Sequence, residues 1–264
     1  MFARGQIIFL MAIALAGCTL LRRPPEVPET FRRDVDQLVV LSNFSLPQQH
    51  RLFEDLRTQR GLIASTLNLN LSTEPVYVYL FSSANDFKLH ALAHFPQIAD
   101  RRAFFVESDT RLAVYAYWGD RVAEDLRHEV AHGYLHSTVR NLPLWLDEGL
   151  AEFFEVPVGH GGFNRPHVEL LTKMRSEGWQ PSLRTLEQLT DGSTMSQLEY
   201  AESWAWVHWL MQTTPERRAF LQSYLARLKE AGTIEPMSVS IRQLHLDYER
   251  QLVDHIASLA TALR

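Results

Sequence analysis

His128-Glu129-Val130-Ala131-His132 and, shortly after it, Leu142-Pro143-Leu144-Trp145-Leu146-Asp147-Glu148-Gly149-Leu150-Ala151-Glu152-Phe153-Phe154-Glu155 carry most of the information in this 264-residue chain. The first is an H-E-x-x-H sequence. Residues four apart on a helix stand one turn above each other, about 5–6 Å between Cβ atoms, so two imidazoles at this spacing can converge on one ion. Zinc takes neutral imidazole nitrogen at about 2.0–2.1 Å, and a catalytic site uses three protein ligands with a fourth position for water. Glu129 flanks the histidine face, where it can accept a proton from water activated by the metal and return it to a leaving amine.

The third ligand is expected in the second stretch. Fifteen residues separate His132 from Glu148, and Asn141 and Pro143 mark a turn able to reverse the chain. A helix over 144–155 then returns past the first and presents Glu148. Glu152 lies one turn beyond on the same face and is both the alternative ligand and a candidate to hydrogen-bond the second nitrogen of a ligand histidine. Gly149 would let the two backbones approach closely. His136 continues the four-residue repeat, but three ligands in a line along one helix cannot surround an ion tetrahedrally.

The flanking segments supply the frame. Residues 34–41, 76–81, 103–107 and 112–118 read as strands, the clearest being Val76-Tyr77-Val78-Tyr79-Leu80-Phe81, and the last two read as a hairpin. Helical periodicity covers 46–67 and 86–95, and Asp120 is placed to cap a helix running to about Ser137. Beyond Pro143 nearly every signal is helical: about 144–155, 165–177, 195–212, 215–231 and 241–263. The fold class is α+β: a small mixed sheet and the H-E-x-x-H helix in residues 31–142, then a mostly helical portion, 143–264, carrying the third ligand.

HEVAH followed by LPLWLDEGLAEFFE resembles the gluzincin metallopeptidases, and among them the peptidase-MA-like families of bacterial secreted proteins. The resemblance implies a zincin-like fold, a zinc ion held by His128, His132 and Glu148, and Glu152 as their companion behind the ligands. It also implies an edge strand before the active helix that pairs with extended peptide, a place that residues 112–118 would fill. Peptide hydrolysis needs a further donor facing the tetrahedral intermediate. Tyr200, in Glu199-Tyr200-Ala201-Glu202-Ser203-Trp204, is the first candidate, with Tyr134 and Arg165 as alternatives. No G-x-M-x-N motif is evident, which argues against aminopeptidase activity.

The amino terminus gives the setting. Arg4 precedes an apolar run, residues 7–17, that ends in Leu15-Ala16-Gly17-Cys18 at the only cysteine of the chain. This is similar to a bacterial lipoprotein signal and implies cleavage after Gly17, acylation of Cys18, and a proline-containing tether over 18–30. Thr19 beside the lipid points to the outer membrane, facing the periplasm. One cysteine excludes an internal disulfide framework. A formal charge of −5, from 26 basic and 31 acidic residues, offers no positive field for nucleic acid. The expected function is a lipid-anchored zinc metallopeptidase acting on peptide or protein. The alternative is a catalytically silent zinc-binding or scaffolding lipoprotein of the envelope.

Overall fold

The β-branched and aromatic run at 76–81 forms the middle strand of a five-stranded mixed sheet in the computed structural model, which describes residues 25–47 and 50–263. Cys18, the signal segment and the start of the tether lie outside the described residues. In chain order the strands are β1 (Phe31–Val35), β2 (Leu38–Ser42), β3 (Val76–Phe81), β4 (Ala103–Ser108) and β5 (Arg111–Tyr117). Their spatial order is β1-β2-β3-β5-β4, with β2, β3 and β5 parallel and both outer strands antiparallel.

Two sequence expectations change here. The single strand expected over 34–41 is a hairpin, because Asp36 turns the chain at φ 51°, a left-handed value that Asp tolerates better than most residues. The strand at 112–118 is not an edge: β5 lies between β3 and β4, and the free edge belongs to β4.

Period-two alternation divides the sheet into two faces. Val76, Val78 and Leu80 point into the main core with Val114 and Ala116, against α1 (Arg51–Leu67) and α3 (Val122–His136). Tyr79 and Phe81 point the other way, into a smaller aromatic cluster beneath α2 (Ala84–His94). Asp120 does not cap α3. Arg121 occupies that position without a side-chain bond, and Glu124 and Asp125 supply negative charge to the first turn.

The helical portion comprises α4 (Leu144–Phe154), α5 (Arg165–Ser176), the one-turn α6 (Leu183–Leu186), α7 (Gln197–Gln212), α8 (Pro215–Ala231), α9 (Met237–Leu244) and α10 (Tyr248–Ala262). The helix expected over 241–263 is thus broken at 245–247. One apolar core continues from the sheet through α3, α4 and α7 to α10, so the two portions fold around common side chains such as Leu126, Trp145, Trp204 and Leu252.

Gly149 permits a close approach, but to α7 and not to α3. A Cβ at this position would lie 2.5 Å from the Ser203 carbonyl oxygen. Backbone cannot yield as a side chain can, so Gly149→Ala should cost about 2–3 kcal/mol, the upper part of the overpacking range. We expect the thermal midpoint to fall by about 5–10 °C in calorimetry.

The α7–α10 contact buries a histidine pair, with His208 Nδ1 2.9 Å from His255 Nε2. Burial and the neighbouring His255 lower His208 to about 3, and burial with the nearby Arg217 lowers His255 to about 4. Both are neutral in the fold, while the unfolded chain protonates them near pH 6.5. Their contribution to stability is therefore complete above that pH and is lost as pH falls towards the folded values, by up to about 1.4 kcal/mol per pH unit for each ring. Urea midpoints measured between pH 7 and pH 4 should decline more steeply in the native chain than in a His208→Gln, His255→Gln double variant.

Candidate metal centre

The H-E-x-x-H sequence lies in the middle of α3, and α4 returns across it after the turn at Asn141, whose φ is 58°. Three potential ligand atoms meet between the two helices. His128 Nε2 and His132 Nε2 are 3.2 Å apart, and Glu148 Oε2 lies 3.4 Å from the first and 3.6 Å from the second. Ligands about 2.1 Å from a tetrahedral zinc ion stand roughly 3.4 Å from one another, so this triangle has the size that zinc requires.

The rear of each ring is already engaged. His128 Nδ1 bonds Glu155 Oε2 at 3.1 Å, and His132 Nδ1 bonds Asp147 Oδ1 at 2.9 Å. An ionised carboxylate only accepts, so each Nδ1 donates, and with a ring in its neutral form the Nε2 lone pair is turned towards the other ring. Two lone pairs and a carboxylate oxygen at these distances repel unless protons or a metal cation lie among them. Glu148 Oε2 is fully buried without a hydrogen-bond partner among the described residues. The donor set and this orphaned oxygen fit a divalent ion with nitrogen and oxygen ligands.

The electrostatics agree with the geometry. Burial disfavours charge on His132, yet Asp147 and Glu148 outweigh it and hold the ring up at about 10. Glu148 is brought down to about 2, because His132 and His128 overcome the effect of its burial. The carboxylates demand positive charge at this point, from protons or from a cation. Glu129 is buried at 7% exposure, and its pKa is raised, chiefly by burial against the pull of His128 and His132. With His128 and Tyr200 it lines a cleft of about 630 Å³.

The structure moves Glu152 out of its expected role. Glu152 Oε2 bonds His167 Nε2 at 2.7 Å and Asn164 Nδ2 at 3.4 Å, and neither ligand ring is held by it. Asp147 and Glu155, which the sequence reading passed over, hold the rings instead. His136 is no member of the triad: its ring bridges Asp147 Oδ2 at 2.8 Å and Glu107 Oε2 on β4 at 2.6 Å. Two further groups of potential donors, His132 with His136 and Asp147, and His128 with Glu152 and Glu155, overlap these bonds.

Tyr200, near the start of α7, lines the cleft. Its hydroxyl accepts from Arg101 Nη2 at 3.1 Å and lies 3.4 Å from the Gly192 carbonyl oxygen. Burial, with the charge of Glu148, pushes its pKa up to about 12, so the hydroxyl keeps its proton. The alternatives lie elsewhere. Tyr134 is buried with its hydroxyl on the Leu56 carbonyl, and Arg165 is exposed and paired with Glu169. Arg101 was not found by sequence reading, since a lone arginine between a short turn and a strand carries no pattern.

Residues 122–237, from the first residue of α3 to the first of α9, match a family described as a protein of unknown function, DUF1570. The search of curated proteins gave no match to the chain.

Proposed function

We propose that this chain is a zinc-dependent peptidase of the gluzincin type. The observation that carries the reading is the triangle of His128 Nε2, His132 Nε2 and the unpartnered Glu148 Oε2, with Glu129 beside it in an open cleft. Zinc bound there would supply Lewis acidity and lower the pKa of water towards neutrality. His128, His132 and Glu148 would hold the ion, while Asp147 and Glu155 fix the tautomer and direction of the two rings. Glu129 takes the proton from the attacking water and passes it to the leaving amine. The Tyr200 hydroxyl, kept protonated, donates to the oxygen of the scissile carbonyl as that oxygen gains charge. The free edge of β4 offers backbone groups to an extended peptide, and Phe105 on that strand stands against the His132 ring, placing the edge beside the ligands.

The same proposal places the protein in the bacterial envelope, anchored by a lipid on Cys18 and facing the periplasm. Among the described residues no helix is long and apolar enough to cross a membrane.

Hydrolysis of unfolded protein or of a mixed peptide library tests the function. Cleavage should stop when a chelator removes the metal and return when zinc is restored. Zinc binding without any cleavage would instead favour the scaffolding alternative, and a chain that binds no zinc would overturn both.

A further inference from the structure

Three arginines line the cleft, and they differ in their partners. Arg102 is fixed to Asp125, with Nη2 2.6 Å from Oδ1, and Arg121 pairs with Glu124. Arg101 is half-buried and forms no ion pair among the described residues. Its Nη2 donates to the Gly192 carbonyl at 2.9 Å and to the Tyr200 hydroxyl at 3.1 Å. A guanidinium carries five N–H donors, and those on Nε and Nη1 have no acceptor among the described residues. Glu148 and Glu129 offset its charge from a distance without bonding it, and a fixed guanidinium plane with free donors suits a carboxylate, which it can bind bidentately.

The position of this group matters. A Cβ on Gly192 would lie 3.4 Å from Glu148 Oε1, so the loop that grips Arg101 lies beside the carboxylate of the triad. Arg101 also stands two residues before β4, at the start of the open edge where an extended chain would lie.

We propose that Arg101 recognises a carboxylate of the substrate beside the scissile bond, held in place for that contact by Gly192 and Tyr200. The inference rests on the peptidase reading and names its substrate class: peptides with an anionic group at one end of the cleft. The group is either a C-terminal carboxylate or the side chain of Asp or Glu.

Three synthetic peptides of one sequence separate these sources: a neutral C-terminal amide, the same peptide as free acid, and an amide with Glu flanking the cleaved residue. With the zinc-loaded full chain, we expect one anionic form to be cleaved about 10- to 100-fold more efficiently than the neutral form, mainly through KM, as for a charged hydrogen bond. Arg101→Met should abolish that preference in KM, while any loss of kcat through the released Tyr200 hydroxyl falls on all three peptides alike. Arg101→Lys should keep part of it. Equal handling of all three peptides by the native chain would overturn the proposal. So would an equal loss for all three in Arg101→Met with the preference in KM retained, the mark of a guanidinium that only balances Glu129 and Glu148. Fluorescence anisotropy with the zinc-loaded Glu129→Gln chain reads binding without turnover. If the native chain cleaves nothing, an Arg101-dependent preference in that assay still supports the anion site, and its absence rejects it.

Discussion

Glu129→Gln should leave one zinc ion per chain and reduce peptide hydrolysis by three or more orders of magnitude. The substitution preserves shape and removes only the capacity to accept a proton. Glu129 is not among the three atoms of the triangle, so metal analysis should return the native stoichiometry. General base catalysis contributes about 10²–10⁴ in rate. In this cleft burial raises the carboxyl's pKa and so strengthens it as a base, while the two histidines beside it limit the rise. Turnover within tenfold of the native chain, at equal zinc content, would remove Glu129 from the reaction.

Glu148→Ala should weaken zinc binding by well over 100-fold, whereas Glu152→Ala should change it by less than about tenfold. Loss of a group that only orients a ligand already costs about 10–100-fold in metal affinity, and loss of a ligand costs more. Glu148 Oε2 completes the triangle and has no other partner, whereas Glu152 is spent on His167 and Asn164. Competition against a fluorescent zinc chelator gives both affinities. The reverse ranking would assign the third ligand to Glu152 and overturn the geometry described above. Glu148 is also the buried counter-charge of the two rings when no metal is bound, so the metal-free variant should unfold more readily than the metal-free native chain, and the affinities are compared on protein shown to be folded.

The triad was legible because it rests on local rules. Two histidines at helical spacing must share a face, and a turn of the length at 137–143 brings the next helix back across it. The groups behind the rings depend on how α4 is rotated about its own axis, which no spacing rule fixes. Glu155 lies seven residues beyond Glu148, only roughly 20° from the same line on an ideal helix, and so was a better candidate than Glu152 for the ligand face. Asp147 points about 100° away from Glu148 and reaches His132 and His136 only because the helices cross. The strand at 112–118 was found as a strand, but its place in the sheet was not. A hairpin can dock by either arm, and pairing of β5 with β3 leaves β4 outermost. The break at 245–247 has neither proline nor glycine to mark it; the apolar pattern runs on while the backbone turns at His245.

The groups assigned to the chemistry, His128, Glu129, His132, Glu148 and Tyr200, all come from α3, α4 and α7. The open strand edge and the unpaired guanidinium come from an earlier length of chain, around 101–108. On the proposed reading, the bond-breaking groups and the groups that select the substrate are therefore written in separate passages of the gene. If the chain is the peptidase proposed, variation confined to the earlier passage would retune its substrates while the proposed catalytic groups are inherited unaltered.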